Sequence, residues 1–126
     1  MKKTKANTAK SKKAKGVRLE LKVADMIAKT LKVTAKKMPK SGQNKGFKSD
    51  IYTELPISIE CKNQENWKIH EWWEQCTHDA VLNEEIPVLV MSKNNMKNPK
   101  VLLSFSNFLQ LLRFAIKGGW ITRKIK

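Results

Sequence analysis

Ile86-Pro87-Val88-Leu89-Val90-Met91 is an unbroken apolar run in a chain of 126 residues. A strand that is apolar on both faces is buried on both, so it belongs in the middle of a sheet covered by helices. The neighbouring segments fit that frame. Ile57 to Lys62 alternates, with Ile57, Ile59 and Cys61 on one face and Ser58, Glu60 and Lys62 on the other. Between the two lies a helical pattern over Trp67–Asn83, with Ile69, Trp72, Trp73, Cys76 and Ala80 in one stripe. Gly16 to Lys32 predicts a first helix, with Val17, Leu21, Ala24, Ala28 and Leu31 at helical spacing, widened by Val23 and Ile27. Val33–Met38 and Phe47–Thr53 are shorter strand candidates, separated by a polar loop over residues 40–46. Lys100 to Phe105 predicts another strand. Ser106 can cap a final helix that runs to Ile116 and ends at Gly118-Gly119. The expected architecture is α/β, a mixed central sheet flanked by helices in the order αβββαββα. At this length, residues 16–126 make one domain.

Charge narrows the function. There are 26 Lys and Arg against 11 Asp and Glu, a net charge of +15. Such a field attracts polyanions, chiefly nucleic acid or an anionic membrane surface. Residues 1–15 form a Lys/Ala/Thr/Ser tract without apolar period, which predicts a flexible basic arm. Yet residues 50–85 hold nine acidic and two basic residues. A protein that only coats phosphates gains nothing from carboxylates beside its ligand, whereas one that sets a metal ion against a phosphate needs them.

Within that acidic island, Glu60 and Lys62 stand two apart on a strand and so share a face. Asp50 lies on the preceding strand, across a short turn that can bring its carboxylate beside Glu60. Two adjacent carboxylates disfavour joint ionisation, and a divalent cation removes that penalty. Oxygen-only ligands suit Mg²⁺. Lys62 is then placed to stabilise developing phosphate charge or to orient a water, which together suffices for hydrolysing a phosphodiester. The plainer reading of the same triplet is a solvated Glu–Lys pair on an edge strand. A second triplet, Glu20-Leu21-Lys22, lies in a helical pattern, where residues two apart diverge by about 200° and cannot share one site.

Asp50, then Ile59-Glu60-Cys61-Lys62 on the next strand, after a helix carrying Glu20, resembles the PD-(D/E)xK nuclease superfamily. Within it, the chain is most similar to the archaeal-type and bacteriophage Holliday junction resolvases. Lys15-Gly16-Val17-Arg18-Leu19-Glu20 resembles the opening of that family's first helix, and Lys40-Ser41-Gly42 its Ser-Gly loop. Ser49-Asp50-Ile51 resembles the metal-binding aspartate segment, with Ser49 where the superfamily motif has Pro. The resemblance implies a restriction-endonuclease-like fold. It implies Mg²⁺, with Mn²⁺ able to substitute, on Asp50, Glu60 and the Cys61 carbonyl. Lys62 would be the catalytic lysine, with Glu20, Ser41 and Gln64 assisting at the metal, water or scissile phosphate. Lys40, Lys45 and Lys48 of the loop, with Lys12, Lys13, Lys15 and Arg18, would hold the DNA backbone. A homodimer would cut two opposed strands of a four-way junction and leave 5′-phosphates.

Two rivals stay open: another nuclease of the superfamily, of nicking, repair or restriction type, and a non-catalytic basic nucleic-acid-binding protein. His70, His78, Cys61 and Cys76 match no paired zinc knuckle, and a buried thiol is the simpler reading of Cys61. Trp67, Trp72 and Trp73 can stack on bases or pack; Trp73 is expected to pack with Ile69 and Cys76. Two cysteines without a disulfide framework fit a reduced compartment. No apolar run approaches roughly 18 residues, so no membrane span is expected. The expected location is the cytoplasm, at the nucleoid or in a phage-infected host.

Overall fold

The computed structural model describes residues 5–39 and 49–124, with side chains from Lys12 onward. The elements are α1 (Lys5–Leu31), β1 (Ala35–Lys37), β2 (Ile51–Thr53), β3 (Ile57–Asn63), α2 (Ile69–Leu82), β4 (Ile86–Ser92), β5 (Lys100–Leu102) and α3 (Phe105–Lys117). The expected order αβββαββα and α/β class are observed. β3, β4 and β5 form a mixed sheet with β4 in the centre, parallel to β3 and antiparallel to β5. β1 and β2 form a separate antiparallel pair. Among the described residues, no helix is long and apolar enough to cross a membrane.

Alternation along β4 builds the core. Val88 and Val90 face a cluster with Ile59 and Cys61 of β3 and Leu19, Val23 and Ala24 of α1. Leu89 and Met91 face the other way, onto Trp72 and Cys76 of α2. A strand apolar on both faces is therefore covered by one helix on each side. The α2 stripe differs in detail from expectation. Trp72, Cys76 and Ala80 are buried, Trp73 is half-buried, and Ile69 is exposed.

α1 departs from expectation twice. It runs from Lys5 through Gly16, so the described part of the expected arm is helical. Ala and Lys are strong helix formers, and such a segment needs no apolar stripe to take that form. The buried face is also rotated. Leu19, Val23 and Ala24 are buried, while Leu21 and Leu31 are more than half exposed. Leu19, Val23 and Ile27 recur every four residues and define the true face, and Glu20 falls inside it.

The end of the chain also shifts. β5 stops at Leu102, and Ser104 rather than Ser106 caps α3, its hydroxyl accepting from the Asn107 N–H at 3.2 Å. Gly118 is the C-cap, and Gly119 takes a positive φ of 81° that favours glycine. No α3 residue is buried.

Candidate active site

Asp50 is held by main chain on both sides. Its N–H donates to the Ile59 carbonyl at 2.8 Å, and its carbonyl accepts from the Met38 N–H at 2.9 Å. Its Oδ2 accepts from the Cys61 N–H at 2.8 Å. Ser49 secures the same junction. Its buried hydroxyl accepts from the Ile59 N–H at 2.8 Å and lies 2.9 Å from the Ile51 carbonyl and 3.0 Å from that of Ile59. Ser49 and Asp50 thus stitch β2 to β3 where the strands share no regular ladder. A hydroxyl that both donates and accepts serves a position where proline could do neither.

Glu60 on β3, opposite Leu89 of β4, is 5% exposed, and Asp50 is 7% exposed. The two side chains are hydrogen-bonded to each other. Burial pushes the Glu60 carboxyl up from 4.5 to about 9, aided by the Asp50 charge and that hydrogen bond, and opposed by Lys62. In the metal-free protein the pair therefore retains a proton at neutral pH. Lys62 projects from the same strand face, with its ammonium 6.0 Å from the centroid of the buried Trp72 ring. That contact locates the lysine over an apolar wall instead of leaving it free in solvent.

These groups share a cleft of 580 Å³. Glu20, 4% exposed, reaches it from α1, and Lys12, Lys13 and Gly16 line it from the same helix. Asn63 and Gln64 extend it beyond Lys62. Gln75 and Asp79 of α2 close the opposite side, and the Asp79 charge also raises the Glu60 carboxyl. Neither α2 residue was expected. Their signal is the i, i+4 spacing of Gln75 and Asp79 beside the buried Trp72–Cys76–Ala80 stripe.

Of the expected residues, Asp50, Glu60, Cys61, Lys62, Glu20, Gln64, Lys12 and Lys13 are brought together here. Lys15 and Arg18 instead line a second cleft. Ser41, Lys40, Lys45 and Lys48 lie outside the described residues. The Cys61 and Cys76 thiols are free and buried, and burial raises both, Cys76 to about 12. His70 pairs with Glu74 at 3.0 Å on the exposed side of α2. Among the described residues, no three His, Cys, Asp or Glu side chains converge to hold a metal. The Asp50–Glu60 pair nonetheless fits a hard cation. Two buried carboxylates in contact can both ionise only with a compensating charge, and Mg²⁺ takes few protein oxygens, with waters or phosphate in its other positions.

One comparison with known proteins agrees with this chemistry. No curated protein and no solved structure matches the chain significantly. A family model described as "phage putative PDDEXK endonuclease" matches residues 11–121, which include every residue of the cleft. The chain belongs to that family, and with it to the PD-(D/E)xK nucleases.

Proposed function

We propose that the protein is a Mg²⁺-dependent, structure-selective DNA endonuclease that cuts four-way junctions as a homodimer and leaves 5′-phosphates. Its place of action would be the cytoplasm of a phage-infected cell. The observation that carries this reading is the Asp50–Glu60 carboxyl pair with Lys62 on the same strand face, in one cleft.

Asp50 and Glu60 would hold the cation, with the Cys61 carbonyl beside them. When bound, the cation supplies Lewis-acid polarisation of a phosphate oxygen and a more acidic water. Lys62 meets the negative charge that grows on the phosphate, from a position set by Trp72. Glu20 and Gln64 orient the attacking water from either side. Lys12 and Lys13 hold the backbone by charge, a contact that reads no sequence.

Pairing of two copies is supported by α3. Phe105, Phe108, Leu109, Leu111, Phe114, Ile116 and Trp120 are 45–80% exposed. At about 100° per residue Phe105, Phe108, Leu109 and Ile116 fall on one side of α3 and form an exposed apolar face. A second α3 is the occupant whose apolar face matches by symmetry. Phe108→Glu with Leu109→Glu should convert a dimer to a monomer in sedimentation while the far-UV circular dichroism of the fold is retained. A wild-type chain that sediments as a monomer contradicts the dimer.

The substrate is tested with a labelled four-way junction, a linear duplex and a single strand of the same sequences, each with Mg²⁺. Paired symmetric nicks on the junction alone are expected. Equal cutting of all three would favour an endonuclease without junction preference, whose site residues would be the same.

A further inference from the structure

A second cleft, of 210 Å³, lies between α1 and the loop that joins β4 to β5. Lys15, Arg18 and Lys22 enter it from α1, and Lys93, Asn94 and Asn95 from the loop. No acidic residue lines it, whereas four line the active-site cleft. Lys15, Arg18 and Lys22 fall at i, i+3 and i+7 on one helix face, where like charges repel. An anion among them relieves that repulsion.

The cleft is built, not a chance meeting of mobile side chains. The Lys22 ammonium donates to the Lys97 carbonyl at 2.6 Å and ties helix to loop. The Asn94 N–H donates to Glu65 Oε2 at 2.8 Å, which fixes the loop. Trp67 Nε1 donates to the Ser92 carbonyl at 3.1 Å, and its ring lies 5.8 Å from the Lys93 ammonium. Asn95 takes a positive φ of 64°, a conformation asparagine tolerates, which turns the loop back toward α1.

Asn63 joins the two clefts, since it lines both. Its Nδ2 donates to the Lys15 carbonyl at 3.2 Å, and its buried Oδ1 has no partner among the described residues. A strand whose scissile phosphate sits beside Lys62 would pass over Asn63 to reach the acid-free cleft.

We propose that this second cleft is a phosphate subsite, which holds the nucleic-acid backbone next to the cut through Arg18, Lys22 and Lys93. Its ligand is a phosphodiester of a polynucleotide. The direction of the strand rests on the nuclease reading above; the anion site does not.

The test measures binding of the full-length chain to labelled four-way junction and duplex across a salt series. Arg18→Gln and Lys93→Gln are compared with Lys117→Gln on α3, which removes an equal charge elsewhere. Each cleft variant should weaken binding roughly tenfold at low salt and lower the log–log salt slope by about one contact. Lys117→Gln should leave the slope unchanged. If the chain cuts DNA, the cleft variants should raise KM and spare kcat. If it cuts nothing, the nuclease reading falls while the slopes still decide the subsite. Equal, small effects from all three variants would overturn the proposal. So would inorganic phosphate that binds through Arg18 and Lys93 at matched ionic strength without displacing DNA, because the cleft would then be a small-anion site.

Discussion

Glu20-Leu21-Lys22 and Glu60-Cys61-Lys62 carry the same chemical pattern on two kinds of backbone. On α1 the acid and the base part company. Glu20 is buried in the active-site cleft, Lys22 lines the second cleft, and Leu21 between them is exposed. On β3 the acid and the base enter one cleft, while Cys61 turns into the apolar cluster behind them. The backbone period decides the outcome. A strand returns to the same face every second residue, whereas a helix turns about 200° over that step. In the proposed reading one triplet would be half of a hydrolytic site, and the other would divide its charges between a metal and a phosphate.

The largest expected effect tests whether the two lysines differ as this contrast demands. Lys62→Met should lower kcat by about 10²–10³-fold, the scale of removing one preorganised charge stabiliser. Lys22→Met should leave kcat unchanged and weaken only binding. Equal loss of kcat in both would break the contrast. Glu20→Gln should cost less, roughly 10–100-fold, if Glu20 acts as proposed on a metal or water already held by others. Single-turnover cleavage separates that loss from a change in affinity.

The phase of α1 gives a stability test. Leu19→Ala should cost about 2–4 kcal/mol, the range for a buried leucine. Leu21→Ala should stay within about 0.5 kcal/mol. Urea unfolding of both variants checks the rotation of the buried face.

A further test is in pH. The Glu60 carboxyl of the metal-free fold sits at about 9, above its ordinary 4.5. The folded state therefore binds the extra proton between these values, and stability falls as pH rises through that window. In EDTA, Tm should decline from about pH 5 to pH 9, Mg²⁺ should restore it, and Glu60→Gln should flatten the profile. A rising Tm in EDTA over that range would contradict the carboxyl pair.

Much of this was legible in the sequence, for definable reasons. The β3 triplet was readable because period-2 alternation ties Glu60 to Lys62 whatever surrounds them. β4 was readable because its apolar run admits only a central position. The α1 face was harder. Val23 and Ile27 were in the expected stripe, but only packing against β3 adds Leu19 and leaves Leu21 and Leu31 outside it. Glu20 is an acid in the middle of the buried face, where the resemblance had placed it at the site. The N-terminal helix was missed because a polar Lys/Ala tract has propensity without pattern. Asp79 and Gln75 were missed because their role depends on α2 crossing the end of β3. Ser104 was passed over because β5 ends three residues earlier than its apolar run.

The central claim is that Asp50, Glu60 and Lys62 form one metal-dependent hydrolytic site. Its most direct test is cleavage of a labelled four-way junction by wild-type protein and by Glu60→Gln, with Mg²⁺ and with EDTA, alongside binding measured on the same samples. The account predicts Mg²⁺-dependent nicks by wild-type protein, lost in EDTA and in the variant, with DNA binding retained or tightened. Cleavage that survives Glu60→Gln or EDTA would contradict it, as would tight binding without cleavage under any condition.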